Sequence, residues 1–375
     1  MKWKQLKQVK LLSIWRLHCL ELLHPLQLDT NYEYGSHWIV TSNHGYIAYA
    51  QEEWRRRFGQ LKSRMMVSGE IALMELPVDR NEVFQAMESE PTMFIRYLQP
   101  VDIAFDIQAL QTDTVQSFDS LLTHLIHDLE GSIEGMRLGV HVRSSASGDS
   151  LDKELRDALR AAVERTGASV AIQDPERIVS LFIHDGVGYA GLMTTAEAGS
   201  DWPGGTVRFR KEEGQVSRAK FKLLEAERTF GLDFTAYRNA LDIGAAPGGW
   251  TSLLLERGVQ VTAVDPAAMH PSLIDHPNLT YYKSNAGDVA LEPGEFDLLV
   301  CDMSWSPKVT AQLVIGLLDS VMQGGTVIVT VKLMHKKPLQ TIREVKEMFL
   351  EHLHIIRAKQ LFHNRDEITL YMMKM

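Results

Sequence analysis

Four charged residues in the C-terminal half of the sequence could carry out acid–base chemistry. They lie at or near the ends of predicted β-strands: Lys222, Asp302, Lys332 and Glu367. Open α/β sheets place their ligands at the carboxyl ends of the strands, so we expect the four side chains to converge there. A lysine is a poor base at its ordinary pKa of about 10.4 and must be neutralised by burial or by a neighbouring cation. Lys222 beside Lys332 would supply that cation, with Asp302 and Glu367 balancing and orienting the pair.

Taken singly, each of these residues has a simpler explanation. Lysines and acids at strand ends are usually solvated or paired on the surface. The case for chemistry depends on the joint pattern, and on a glycine-rich segment that occurs in the same region of the chain.

That segment is LDIGAAPGGW, residues 241–250, between a predicted strand and a predicted helix. Glycines let a backbone approach a ligand closely, and the next strand ends in Asp265, whose carboxylate suits the hydroxyls of a ribose. The spacing G-x-x-x-G-G with Pro247 differs from the G-x-G-x-x-G of dinucleotide sites, which favours a ligand without a pyrophosphate, such as S-adenosylmethionine. NAD binding and a purely structural turn are the alternatives. The predicted cofactor contacts are Asp242, Gly244, Ala245, Pro247, Gly248, Gly249, Trp250, Asp265, Asn285 and Asp302, although Asn285 could equally be a turn residue.

Methyl transfer to a ribose hydroxyl requires a sulfonium donor, an oxygen in line behind the methyl group and a base for the proton. We assign Lys332 as the base, Lys222 and Asp302 as the groups that tune it, and Glu367 as the group that positions Lys222 or the ribose. These roles predict an enzyme, a methyltransferase that acts on a ribose hydroxyl. A noncatalytic RNA-binding protein that keeps the cofactor fold and a nicotinamide oxidoreductase are the competing hypotheses.

The elements that must position these residues alternate between strand and helix from Asn239 onward. This pattern predicts a doubly wound, Rossmann-like α/β sheet. The predicted strands are ALDIG, VQVTAVD, LTYYKSN, FDLLVCD, GTVIVTVKL and EITLYMM.

The N-terminal half predicts smaller α/β units. Residues 138–192 contain a strand, a helix ended by Gly167 and a hairpin turning at Asp185-Gly186, and the small-residue segment 194–206 is typical of an interdomain linker. The predicted division is an N-terminal extension of uncertain structure (1–36), a small ferredoxin-like unit (37–107), an RNA-binding unit (108–198) and the methyltransferase domain (199–375).

The composition limits the kinds of partner that the protein can bind. A formal charge of −9 over 375 residues argues against general attraction to nucleic acid, so RNA must bind at local basic patches. The candidates are residues 54–64 and 207–222, where Trp or Phe could stack on bases, together with Lys336 and Lys337. Cys19 and Cys301 are too few for a disulfide framework, which favours a reducing, cytoplasmic setting. No apolar stretch reaches membrane-spanning length and no histidine or cysteine cluster suggests a metal, so we expect neither.

The segment from Ser217 onward resembles the FtsJ-type 2'-O-methyltransferases. The resemblance is carried by SRAKFKL around Lys222, LDIGAAPGGW, the pair Asp302-Met303, VK at Lys332 and the strand opened by Glu367. It implies a seven-stranded, mostly parallel sheet, S-adenosylmethionine as cofactor and a Lys-Asp-Lys-Glu catalytic tetrad at these positions.

Further motifs, VCDM, KLMHKK and QLFHNRDEITL, are similar to those of the family members that methylate a cytidine of bacterial 23S rRNA. This likeness implies 23S rRNA as the partner, with another RNA such as tRNA as the alternative. Residues 138–192 resemble a THUMP RNA-binding domain. The loop from Ser304 to Pro307 departs from the N/E-x-P types expected in the family.

Overall fold

The computed structural model of the protein describes residues 26, 28, 35–112, 114–127, 129, 132–146, 149–211, 213–333 and 337–375. The chain divides into two compact units, one ending at Thr206 and the other beginning at Val207. Most of the predicted extension of residues 1–36 lies outside the described residues.

The N-terminal unit contains two sheets. Its elements are β1 (Ser36–Thr41), α1 (Ile47–Phe58), β2 (Lys62–Val67), β3 (Ile71–Leu76), α2 (Arg80–Ser89), β4 (Tyr97–Pro100), β5 (Ile103–Asp106), α3 (Gln108–Thr112), α4 (Thr114–Ile126), β6 (Arg137–Ser144), α5 (Asp149–Arg165), β7 (Ser169–Val170), β8 (Arg177–His184), β9 (Val187–Met193) and α6 (Thr195–Ala198). The first sheet is antiparallel, with strand order β2-β3-β1-β4.

The second sheet has strand order β5-β9-β8-β6-β7, and apolar side chains of α4 and α5 pack on it. The predicted strand, helix and hairpin are confirmed as β6, α5 and β8-β9. The hairpin turns at Asp185 and Gly186 because both adopt positive φ, at 47° and 78°, as a two-residue turn of this hand requires. The domain boundaries at 107 and 198 stay predictions, and β5 lies in the second sheet.

Residues 194–206, predicted as an interdomain linker, end at the boundary between the two units, and they are folded as part of the first unit. Thr194 caps α6 with a reciprocal capping box, and Gly204 and Gly205 are buried. A Cβ at Gly205 would lie 2.6 Å from the carbonyl oxygen of Arg96. The backbone at Gly205 therefore packs so closely against the rest of the unit that a side chain would not fit. Small residues here serve close packing rather than flexibility.

The C-terminal unit is a single seven-stranded sheet with helices. Its elements are α7 (Lys220–Phe230), β10 (Asn239–Ile243), α8 (Gly249–Glu256), β11 (Gln260–Val264), α9 (Pro271–Ile274), β12 (Leu279–Tyr282), β13 (Phe296–Cys301), α10 (Pro307–Gly316), β14 (Val321–Lys332), α11 (Pro338–Leu350), β15 (Leu353–Lys359) and β16 (Glu367–Lys374). The strand order is β12-β11-β10-β13-β14-β16-β15.

The first five strands of that order are parallel, whereas β16 runs antiparallel to both β14 and β15. This confirms the predicted Rossmann-like, mostly parallel sheet. The central strands are buried apolar runs, as both faces of a helix-covered parallel sheet require. Strands β10, β11, β13 and β14 end at one edge, which we call the carboxyl edge.

Candidate active site

The topology of the sheet brings the four predicted residues together at the carboxyl edge. Asp302 follows β13 and Lys332 ends β14. Strand β16 is antiparallel to β14, so its first residue, Glu367, pairs in register with Lys332. Directly opposite residues of an antiparallel pair place their side chains side by side. Lys222 reaches the same point from the first turn of α7.

The four side chains form a chain of alternating charge. Lys222 Nζ lies 3.0 Å from Asp302 Oδ1 and 2.7 Å from Glu367 Oε2. The other oxygen of Glu367 accepts a hydrogen bond from Lys332 Nζ. Glu367 therefore bridges the two lysines.

Access to solvent differs along this chain. The side chain of Glu367 is 4% exposed and that of Lys222 17%, whereas that of Lys332 is 36% exposed. The side chain of Lys332 is therefore the more exposed of the two lysines, and in these contacts it pairs with one carboxylate, whereas Lys222 pairs with two.

The carboxylate of Glu367 lies between the two lysines, which the sequence predicts to be direct neighbours. Burial by itself would lower the pKa of Lys222, but the carboxylates of Asp302 and Glu367 outweigh burial and raise it. Burial likewise opposes ionisation of Glu367, and the two lysines overcome it and lower the pKa of that carboxyl. Each lysine has a carboxylate as its neighbour, so Lys222 stays protonated.

Thr330 is a site residue that the motifs did not reveal. Its hydroxyl donates to Asp302 Oδ1 at 2.6 Å and, with Lys222, fixes the orientation of that carboxylate. Thr330 precedes Lys332 by two residues on β14. The alternation of side chains along a strand puts both on one face and could have identified it.

Glu225 is a second residue that sequence reasoning missed. It is 3% exposed, and its carboxylate accepts hydrogen bonds from the backbone amides of Phe362 and His363, at 2.7 and 2.9 Å, and contacts the His363 ring. Glu225 lies one turn after Lys222 on α7, and the segment it holds leads into Glu367. This contact couples the two elements that carry Lys222 and Glu367.

The glycine loop occupies the carboxyl end of β10, as predicted. Gly244 and Gly248 have positive φ, at 75° and 112°. A Cβ at Gly244 would lie 2.5 Å from Met303 Cγ, and one at Gly248 would lie 2.3 Å from Leu273 Cδ1. Both conformation and space therefore require glycine at these positions.

Asp265 follows β11 and braces the loop. Its Oδ2 accepts from the amide of Ala246 at 3.1 Å, and its Oδ1 accepts from Ala267 at 2.7 Å. A carboxylate oxygen accepts more than one hydrogen bond, so Asp265 keeps capacity for a ligand hydroxyl. The side chain of Asn285 donates to Asp288 at 3.1 Å, which fits the alternative reading of Asn285 as a turn residue.

Two predicted cofactor contacts are buried. Asp242 is 1% exposed and accepts from the hydroxyl of Thr251 at 2.6 Å, and burial raises its pKa to about 7. The ring of Trp250 belongs to the apolar core, and its indole donates to the carbonyl of Ala219 at 2.9 Å. Both side chains hold the base of the loop in place.

The two basic segments differ in what they expose. Stacking by Trp54 is excluded, because its ring is fully buried, and Arg55 and Arg56 pair with Glu52. The segment before the site is more open, with these exposed cations: Arg208, Arg210, Lys211 and Arg218. Lys337 is exposed, whereas Lys336 lies outside the described residues.

Cys301 is fully buried in β13, and burial raises the pKa of its thiol. Among the described residues, no group of three or more His, Cys, Asp or Glu side chains could hold a metal ion. No helix in the described part of the chain is long and apolar enough to cross a membrane.

Comparison with known proteins gives a family match for the C-terminal unit. The sequence profile of the FtsJ-like methyltransferases matches residues 215–371. This range contains all four residues of the charge chain and the glycine loop, and the match confirms the resemblance predicted from the motifs.

Two curated relatives have the same name, ribosomal RNA large subunit methyltransferase M. That of Halorhodospira halophila is 35% identical over 222 residues, covering 58% of this chain and 63% of the relative. That of Laribacter hongkongensis is 30% identical over 214 residues, covering 53% and 60%. The matched part thus spans about three fifths of the length of these relatives.

Among solved structures, TrmN from Thermus thermophilus matches 91% of this chain and 100% of its own, with 12% identity and a TM-score of 0.37. A likeness at that level carries no argument about this protein.

Proposed function

We propose that the protein transfers a methyl group from S-adenosylmethionine to the 2'-hydroxyl of a ribose in RNA. The observation that carries the proposal is the chain Asp302–Lys222–Glu367–Lys332 at the carboxyl edge that also carries the glycine loop. The FtsJ-like match over residues 215–371 and the rRNA methyltransferase names of the relatives support it.

The residues at the carboxyl edge fit S-adenosylmethionine. The loop from Gly244 to Gly249 passes close to its neighbours, and Asp265 stands at the next strand end with capacity for ribose hydroxyls. Asp302 lies beyond the loop on the other side of β10 and would face the positive end of the cofactor. When bound, this cofactor supplies an electrophilic methyl group on a positively charged sulfur.

The contacts favour Lys332 over Lys222 as the base. A base must release its own proton before it accepts one from the substrate. Lys222 is held charged by two carboxylates, whereas Lys332 contacts Glu367 and is more open to solvent. Lys332 Nζ would take the proton of the 2'-hydroxyl as the oxygen–carbon bond forms and the carbon–sulfur bond breaks.

The remaining charges would position the reaction. Glu367 orients Lys332 through their hydrogen bond and balances the charge that Lys332 gains with the proton. Lys222 and Thr330 hold the Asp302 carboxylate in place. These roles extend the predicted assignment of the tetrad.

The proposed substrate is a cytidine of 23S rRNA. The relatives' names and the exposed cations of residues 207–222 support an RNA of this class, and the N-terminal unit, with its predicted THUMP-like region, would provide further RNA contacts. A ribosomal substrate implies action in the cytoplasm.

The test is nucleoside mass spectrometry of ribosomal RNA from a strain lacking the protein. The proposal expects one 2'-O-methylated nucleoside, 2'-O-methylcytidine, to decrease and to return when the gene is restored. Calorimetry should show binding of S-adenosylmethionine in preference to NAD. An unchanged set of methylated nucleosides would rule out the ribosomal substrate.

A further inference from the structure

One aromatic side chain near the site has no role in the chemistry described so far. The structure describes Trp38, Trp54, Trp202, Trp250 and Trp305, and of these only Trp305 is exposed, at 46%. Within the described residues its ring takes part in no aromatic pair, and its neighbours Ser304 and Ser306 are exposed as well. An indole this open costs free energy through its contact with water.

The position of Trp305 is fixed from both sides. Before it, Asp302 is anchored by Lys222 and Thr330. After it, the buried Pro307 begins α10, and the amide of Thr310 donates to the carbonyl of Ser306 at 3.0 Å. The exposed indole therefore stands on a short loop with anchored ends.

The same loop borders both parts of the proposed site, the four charged residues and the glycine loop. Three peptide units join Asp302 to Trp305, so their Cα atoms lie within about 11 Å of each other. The side chain of Met303, between them, packs beside Gly244 in the glycine loop. One nucleotide and an indole ring can bridge that distance.

We propose that Trp305 is a binding residue for the substrate, whose indole stacks on an unpaired base at or beside the methylated nucleotide. The inference rests on the proposed function and adds that the RNA is bound as an unpaired segment. A base held in a duplex is already stacked on its neighbours, whereas a splayed base offers a free face to an aromatic ring. Stacking is tolerant of base identity, so Trp305 contributes affinity and position rather than sequence choice.

The test compares Trp305→Ala and Trp305→Phe with Met322→Ala. Met322 is the matched control, because it is 41% exposed at the other end of β14, roughly 30 Å from Lys332 along the strand. Each variant is titrated with a mixed-sequence single-stranded oligoribonucleotide and with the same RNA annealed to its complement, and methylation is followed in parallel.

Loss of one stacked base is expected to weaken single-strand binding by Trp305→Ala roughly tenfold or more, with affinity for S-adenosylmethionine unchanged. Trp305→Phe should recover most of the loss, and Met322→Ala should match the wild type. The single strand should quench tryptophan fluorescence of the wild type and the duplex should not, and this quenching should be absent in Trp305→Ala.

Single-strand affinity of Trp305→Ala within twofold of the wild type would overturn the inference, as would equal quenching by single strand and duplex. Failure of the proposed function looks different: the wild type would then bind single-stranded RNA through Trp305 but methylate no 23S rRNA in the parallel assay. Methylation by Trp305→Ala at the wild-type KM for RNA would contradict the inference and leave the proposed function intact.

Discussion

Both units of the protein bury charged groups, but they treat the charges in opposite ways. In the N-terminal unit the guanidinium of Arg143 lies over the rings of Tyr97 and Phe182, at 4.9 and 5.4 Å, and its Nε and Nη2 are buried with no hydrogen-bond partner among the described residues. At the carboxyl edge, each charge of the tetrad has an opposite charge beside it. Around Arg143 the first cluster offers aromatic rings and the hydroxyl of Thr41, with its nearest ion pair at Arg96 and Glu70, whereas the second is balanced by direct ion pairs throughout.

The difference shows that burial of charge alone does not identify a catalytic site. Burial lowers the pKa of His141 to about 3 and raises that of Tyr97 to about 12, so neither group exchanges protons near neutral pH. The tetrad combines paired charges with a lysine that solvent and substrate can reach. Pairing and access together indicate the site.

Glu367→Gln is the change expected to separate the two regions most strongly. It removes the charge that bridges Lys222 and Lys332, and charge-assisted contacts are worth about 1.5–3 kcal/mol each. We expect methyl transfer to fall about 100-fold, measured under single turnover. Arg143→Met serves as the control and should leave the rate unchanged. A rate for Glu367→Gln within fivefold of the wild type would contradict the distinction between the two regions of buried charge.

Two arginine variants test whether the buried cluster around Arg143 and Arg96 stabilises the fold. Arg96 donates to Asn43, Glu70 and the carbonyl of Gly204, so Arg96→Met leaves these acceptors unsatisfied and should cost about 3 kcal/mol of unfolding free energy. Arg143→Met removes two buried donors that lack partners, Nε and Nη2, together with one hydrogen bond to the Thr41 hydroxyl, and should cost only about 1 kcal/mol. Urea denaturation measures both, and equal losses would show that Arg143 is stabilised in a way these contacts do not reveal.

The two regions should also respond oppositely to pH. His141 gains a proton below about pH 6.5 in the unfolded protein but only near pH 3 in the folded protein. The unfolded state therefore binds more protons between these values, and stability is lost as the pH falls below 6.5. Burial raises the pKa of Asp242 from its ordinary value of 3.8 to about 7 in the folded protein, so stability is lost as the pH rises between these two values.

At pH 5 each of these two effects is worth about 2 kcal/mol. Because the two pH windows overlap and their effects have opposite signs, the contributions nearly cancel in the wild type between about pH 4 and pH 6.5. Over this range the unfolding free energy should therefore fall as the pH rises in His141→Gln, where Asp242 acts alone, and rise with pH in Asp242→Asn, where His141 acts alone. Matching slopes in the two variants and the wild type would contradict the assignment of both groups.

The smallest effect is expected for Glu225→Gln. Weakened contacts to Phe362 and His363 should loosen the segment before Glu367 and reduce kcat severalfold, with KM for S-adenosylmethionine unchanged. Glu227→Gln is the matched control on the same helix, because Glu227 pairs with Arg257 at 2.7 Å instead. Similar kcat values for the two variants would show that Glu225 has only a structural role.

Much of the C-terminal unit could be predicted because its pattern is local. Buried parallel strands are short apolar runs, and their ends identify Asp265, Asp302 and Lys332 as neighbours at one edge. The register that places Glu367 opposite Lys332 depends on β16 entering between β14 and β15. That order is a property of the whole sheet and could not be read from the sequence.

The arrangement of charges in the tetrad was harder to predict than the identity of its four residues. The sequence predicts Lys222 beside Lys332, but it could not show that Glu367 lies between them or that two carboxylates raise the pKa of Lys222. The close packing of residues 194–206 could not be predicted for a similar reason. Glycine suits both a flexible linker and a tightly packed turn, and only the proximity of Arg96 distinguishes them.

The central claim, that Lys332 takes the proton of a ribose hydroxyl, is tested most directly by one paired measurement on purified wild type and Lys332→Ala. Methylation of 23S rRNA is measured by nucleoside mass spectrometry, and binding of S-adenosylmethionine by calorimetry. We predict that transfer falls by about 10²–10⁴-fold in the variant while cofactor affinity stays within twofold. Retained transfer by Lys332→Ala would contradict the account.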